Sequence, residues 1–116
     1  MTTPTGRPLA HPARDEIRVE GVLHALSDPL RLRIVRALAH EEQDLCCSDF
    51  ELPVSKSTTT HHFRVLRESG VINQVYQGTA KVSRLRRADL DALFPGLLDA
   101  VLTALDHQEQ RLAGQQ

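Results

Sequence analysis

Apolar residues recur at helical spacing through most of this chain, and one short region breaks that rhythm. The spacing predicts a first amphipathic helix over residues 13–26, with Ile17, Val19, Val22, Leu23 and Leu26 apolar. Ser27-Asp28-Pro29 then punctuates the chain, Asp28 as an N-cap and Pro29 at a first helical position, where its missing amide costs nothing. A second helix is expected from Pro29 to about His40, with Leu30, Ile34, Val35 and Leu38 inward and Arg31, Arg33 and Arg36 outward. After the polar loop of residues 41–44, residues 46–52 are expected to hold a short third helix closed by Pro53, with Ser48 a candidate cap. Ser55 caps a fourth helix that Gly70 stops.

The rhythm changes beyond Val71-Ile72. Val75 and the run Val82 to Leu85 favour strands, and Gly78 supplies a turn, so residues 72–87 predict a hairpin with a basic second strand. A helical turn over residues 88–94 follows, and then a last helix over about 95–111, started by Pro95, with the stripe Leu97, Leu98, Val101, Leu102 and Leu105. The architecture expected is mainly α with a small β-hairpin wing: a winged helix-turn-helix. Residues 1–12, rich in Pro, Gly and Thr, read as a mobile arm, residues 13–111 as the domain and 112–116 as a tail.

The fourth helix carries the chemistry. At about 100° per residue, Thr59, Phe63 and Leu66 form a thin apolar seam, flanked by Thr58, His62 and Val65. Ser57, Thr60, His61, Arg64 and Arg67 fall on the other side. Ser and Thr are mediocre helix formers, so a face built from them is costly unless small donors and acceptors must approach bases or phosphates. Arg can grip guanine O6 and N7 with two bonds. The competing reading is a surface helix that happens to be Thr-rich. The hairpin weighs against it, since Lys81 and Arg84 suit a wing that tracks the phosphate backbone while the helix enters the major groove.

At 116 residues the chain is one domain, and its net charge of −1 looks wrong for a DNA binder until its distribution is examined. Residues 54–87 hold seven basic side chains and one acid, hence +6; residues 1–53 sum to −3 and residues 88–116 to −4. A local basic patch matters more than the total. No export signal or membrane-length apolar run is present, and two cysteines without such a signal point to a reducing cytoplasm. No Gly-rich phosphate loop, nucleophile elbow or apolar carboxylate pair suggests an enzyme. A partner-binding module of the same fold is the alternative function.

The run Leu26-Ser27-Asp28-Pro29-Leu30-Arg31-Leu32-Arg33-Ile34-Val35-Arg36-Ala37-Leu38, together with residues 55–72, resembles the ArsR/SmtB-type winged-helix repressors over about residues 15–105. The resemblance implies a homodimer on an inverted-repeat operator in double-stranded DNA, released by an inducer that is frequently a metal or metalloid ion. It places Lys56, Ser57, Thr60 and His61 at the groove; Arg64 comes from the helical angles alone. A two-fold dimer built on the first and last helices would cover the Leu97 to Leu105 stripe, with closure inside one chain as the alternative.

Neither metal site known in that family is intact. Cys46 matches the first ligand of the arsenic-sensing pattern, but Ser48 stands at the second; the last helix offers Asp106-His107 and Gln110 without the second ligand pair. Cys46 and Cys47, with Cα atoms about 3.8 Å apart, are too close for a relaxed disulfide with one another. They are read as small buried hydrophobes, as soft-metal or metalloid ligands, or as redox-sensitive thiols. Among the six histidines, a dimer could bring the arm or first helix of one chain near the last helix of the other, which makes His24 with His107 the first candidate pair.

Overall fold

The computed structural model describes residues 7–40, 45–46 and 53–115, with five α-helices and four strands among them. The elements are β1 (Arg7–Pro8), α1 (Val19–Ala25), α2 (Pro29–His40), β2 (Leu45–Cys46), α3 (Lys56–Glu68), β3 (Ile72–Gln77), β4 (Ala80–Leu85), α4 (Arg87–Leu93) and α5 (Leu97–Ala113). A 3₁₀ turn at Arg14–Glu16 precedes α1. This is a winged helix-turn-helix, mainly helical, with β3 and β4 as the wing.

Each boundary has a local cause. Asp28 Oδ2 accepts from the N–H groups of Leu30 at 2.9 Å and Arg31 at 3.1 Å, which starts α2 at Pro29. Ser55 Oγ accepts from Thr58 N at 3.2 Å and starts α3. At the other end of α3, Val71 N donates to Leu66 O at 3.0 Å and Gly70 N to Arg67 O at 3.1 Å, with Gly70 at φ +86°. That pair of bonds is a Schellman motif, and it turns the chain straight into β3. Gln77 pairs with Ala80, so Gly78 and Thr79 alone make the hairpin turn. Gly78 has φ +66° and no non-glycine residue described has positive φ, which fits a type II′ turn.

The core joins Val22, Ala25 and Leu26 of the α1 region, Ile34, Val35 and Leu38 of α2, Phe63 and Leu66 of α3, Val71, Ile72, Leu90 and Leu98. Leucine, valine and isoleucine fill most of it, Phe63 is buried within it, and Phe94 packs against it, partly buried.

Several expectations are corrected. The first helix does not run unbroken from residue 13, because Ile17 and Arg18 are extended between the 3₁₀ turn and α1. The break lets Ile17, buried to 7 % exposure, lie directly over Gly70. Within the expected arm, Arg7 and Pro8 form a strand: β1 pairs antiparallel with β3, opposite Tyr76 and Val75, because an open sheet edge offers unpaired backbone groups. Cys46 lies in β2, paired with Val82 of β4, where a helix was expected to begin; pairing with the other sheet edge overrides the periodicity of a seven-residue window. The remainder of that helix, residues 47–52, and Met1 to Gly6 lie outside the described residues. The last helix begins at Leu97, two residues after Pro95, since Gly96 takes a left-handed conformation at φ +82°. The sheet order is β1-β3-β4-β2, so the wing hairpin is the centre of a four-stranded sheet.

Candidate nucleic-acid interface

The seam of α3 turns inward as its spacing requires, with Phe63 and Leu66 buried and Thr59 and Val65 half-buried. Lys56, Ser57, Thr60, His61 and Arg64 are all exposed on the opposite side. They span more than two turns of one helix, which gives a continuous strip of hydroxyl, imidazole, ammonium and guanidinium groups.

Arg67 does not belong to that strip. It is half-buried, its Nη1 donates to Gln74 Oε1 at 2.9 Å, and its Nε is buried without a partner among the described residues. Gln74 is itself fully buried at the root of the wing and donates through Nε2 to Ser83 Oγ at 3.1 Å. Arg67 therefore ties α3 to the wing. Helical angles alone could not separate it from Arg64, because its partner Gln74 lies in β3, where the chain folds back over the end of α3.

The wing register sorts its two basic candidates. Lys81 lies opposite Tyr76, and Arg84 opposite Asn73. Side chains alternate along a strand, so Lys81 shares a face with Ser83 and Gln74, the face turned toward α3. Arg84 lies on the other face, exposed. The Lys81 ammonium sits 5.6 Å from the centre of the Tyr76 ring, a cation–π contact that steadies a long side chain near the wing tip.

The basic surplus read from sequence is partly neutralised. Arg86 donates to Asp89 Oδ2 at 3.0 Å and to Pro12 O at 2.8 Å, and Arg87 reaches Asp99 at 3.0 Å. Asp89 also accepts from Arg14 at 2.7 Å; these arginines hold its carboxyl below the usual range. What remains on the α3 side is a narrower cationic strip.

A polar group misread in the sequence sits behind α3. Arg31, expected outward, is buried to 7 % exposure. Its Nε donates to Ala25 O at 2.7 Å and its Nη1 to His62 Nδ1 at 3.2 Å. The Ala25 carbonyl, the last of that short helix, has no later turn of α1 to pair with and draws the guanidinium in. Burial pushes the Asp28 carboxyl up, but the Arg31 N–H, His62, the Leu30 N–H and the Arg31 charge outweigh it and leave Asp28 below its ordinary value.

His24 and His107 are exposed, and among the described residues no group of three or more His, Cys, Asp or Glu could hold an ion. Asp106 and Glu109 of α5 are taken by Arg36, at 3.4 and 2.5 Å, so this face of α5 does not fit a metal site. That ion pair also corrects Arg36, which faces α5. Cys46 is placed only as backbone in β2, and Cys47 lies outside the described residues.

In the predicted dimer stripe, Leu98 and Leu105 are buried within the chain, at 2 % and 7 % exposure. Leu97, Val101 and Leu102 are partly buried against the same core. Among the described residues, the large apolar side chains left exposed are Val19, Leu23 and Leu112. No helix among the described residues is long and apolar enough to cross a membrane.

Residues 28–74, from the cap of α2 into the wing, match the family described as bacterial regulatory protein, arsR family. The chain is similar to an uncharacterized HTH-type transcriptional regulator, YceK, of Bacillus subtilis (strain 168), 32% identical over 89 residues, 75% of this chain and 88% of that one. It is also similar to the cadmium resistance transcriptional regulatory protein CadC of Listeria innocua, 39% identical over 66 residues, 55% of each chain. Among solved structures, an ArsR-like transcriptional regulator from Rhodococcus sp. RHA1 superposes with a TM-score of 0.53 at 26% identity, over 82% of this chain and 86% of that one. The chain belongs to the ArsR family of DNA-binding transcriptional regulators and is not an enzyme.

Proposed function

We propose that the protein is a homodimeric repressor that binds an inverted-repeat operator and leaves it when an inducer arrives. The observation that carries the reading is the exposed strip Lys56, Ser57, Thr60, His61 and Arg64 on α3, beside a wing whose α3-facing side holds Lys81. The strip enters the major groove, where hydroxyls and Arg64 reach base edges. Lys81 contacts the phosphate backbone, and Arg84 adds longer-range attraction.

Two such helices are needed to read an inverted repeat, so the chain pairs with a second copy. The exposed Val19 and Leu23 of α1 and Leu112 of α5, with the half-buried Leu97, Val101 and Leu102, are the apolar groups that a two-fold partner would cover.

The sensor we assign to the Cys46-Cys47 pair, in preference to α5, whose carboxylates are engaged by Arg36. Adjacent thiols suit a soft metal ion, a metalloid or an oxidant, and the relatives named for cadmium resistance favour the first. The test is operator binding with and without cadmium, zinc, arsenite and peroxide, on wild type and on the Cys46→Ser, Cys47→Ser double variant. Release that occurs in wild type and is lost in the double variant supports the assignment; identical behaviour of the two proteins ends it.

A further inference from the structure

Arg31 and His62 meet where three helices converge, behind the exposed strip of α3. Arg31 Nε donates to Ala25 O at 2.7 Å and Nη2 to His24 O at 3.3 Å, both carbonyls at the end of α1. Two bonds to a fixed backbone orient the planar guanidinium, and Nη1 is left aimed at His62 Nδ1, 3.2 Å away. Both residues are buried to 7 % exposure. The buried cation is matched by the negative end of α1 and by Asp28, whose Oδ2 stands 3.9 Å from His62 Nδ1.

An arginine has no acceptor, so in this contact His62 Nδ1 accepts from the guanidinium. The contact is therefore directional on both sides. The apolar seam of Phe63 and Leu66 is not directional; burial alone tolerates small rotations of a helix about its axis. Reading base edges tolerates little, about 0.5 Å or 10–20°. His62 adjoins His61 and lies two residues from Arg64, so whatever fixes its ring fixes the roll of the reading face.

We propose that Arg31 is a positioning residue for DNA recognition, holding α3 at its reading angle through a hydrogen bond to His62. The inference rests on α3 being the element that reads sequence. It gives His62 a role in discrimination between sequences and none in attraction to phosphate.

The test uses a duplex that wild-type protein enriches from a randomised pool, and a scrambled duplex of equal length. The readout is the ratio of the two affinities, measured well below each variant's unfolding midpoint. His62→Leu, which cannot accept, should lower the ratio roughly tenfold, the scale of one lost base-reading contact, with affinity for the scrambled duplex near wild type. His62→Asn, whose amide oxygen can accept from Arg31, should restore most of it. Arg31→Lys keeps the charge but lacks the planar fork, and should lose discrimination as His62→Leu does; it carries the measurement if His62→Leu does not fold. A purely structural pair would lower unfolding midpoints and leave the ratio intact. If both His62→Leu and Arg31→Lys keep the wild-type ratio while Arg64→Ala loses it, the positioning role is overturned and the reading of α3 stands. If Arg64→Ala also keeps it, or the wild type enriches no sequence, both fall.

Discussion

Arg67 Nη1 donates to Gln74 Oε1 at 2.9 Å, and this bond fastens the end of α3 to the root of the wing. Gln74 is wholly buried, bonds Ser83 on the second wing strand, and through its backbone N–H donates to His11 Nε2 at 2.8 Å. One residue, through its side-chain amide and its backbone N–H, thus joins α3, both wing strands and the N-terminal segment. Replacing it with an apolar isostere strands buried donors in a region closed to water. Gln74→Leu should destabilise the fold by about 2 kcal/mol, read from urea unfolding.

Two turn glycines should respond unequally to the same substitution. A Cβ on Gly70 would stand 2.5 Å from Ile17 Cγ1 and 2.7 Å from its Cδ1, at a left-handed φ of +86°. Gly78 has φ +66° with open space around it. Gly70→Ala should cost about 3 kcal/mol, backbone strain plus overpacking, and Gly78→Ala about 1 kcal/mol of strain alone. Equal shifts in denaturant midpoint would contradict the docking of Ile17 on the Schellman turn.

The N-terminal segment should loosen in acid. Burial holds the His11 imidazole below its ordinary pKa, outweighing the Leu9 backbone bond that favours the charged form; the charges of Arg67 and Arg86 push the same way as burial. The folded pKa lies below the unfolded value of about 6.5. The contribution of neutral His11 is therefore fully present above that value and lost as pH falls through the folded pKa. His11 should titrate below 6.5 by NMR, and the stability gap between wild type and His11→Ala should shrink as the pH drops below it. A gap constant from pH 7 to 5 would show that the bond to Gln74 carries no weight.

The wing register predicts an asymmetry between two basic residues. Lys81 is on the side of α3 and Arg84 on the far face. Lys81→Ala should weaken binding to every duplex and lower the slope of log affinity against log salt by about 1. Arg84→Ala should change that slope by less. Fluorescence anisotropy across a salt series checks both.

The helix starts and stops and the hairpin turn were the most legible features in sequence. Asp28-Pro29 marked the start of α2, and Ser55 and Gly70 bracketed α3, because caps and stops are local signals. Gly78 marked the hairpin for the same reason. Arg31, Arg67 and Arg86 were misread together, each counted as outward charge. Their partners, the Ala25 carbonyl, Gln74 and Asp89, have no common sequence signature; for Arg67 and Arg31 the decisive bonds cross between elements. The N-terminal strand escaped notice because two residues at a sheet edge carry no periodicity, and Pro-rich composition argued for mobility. Leu98 and Leu105 looked available to a partner because a stripe on a last helix does not say which surface covers it.

The central claim is that the outward strip of α3 reads DNA sequence. Its most direct measurement is the affinity of wild type, Arg64→Ala and His61→Ala for a duplex enriched by the wild type and for its scrambled counterpart, at one fixed salt concentration. The account predicts that each substitution cuts affinity for the enriched duplex by roughly 10-fold or more, the worth of one good base contact, while the scrambled duplex loses far less. Equal losses on both duplexes would contradict it, as would no loss on either.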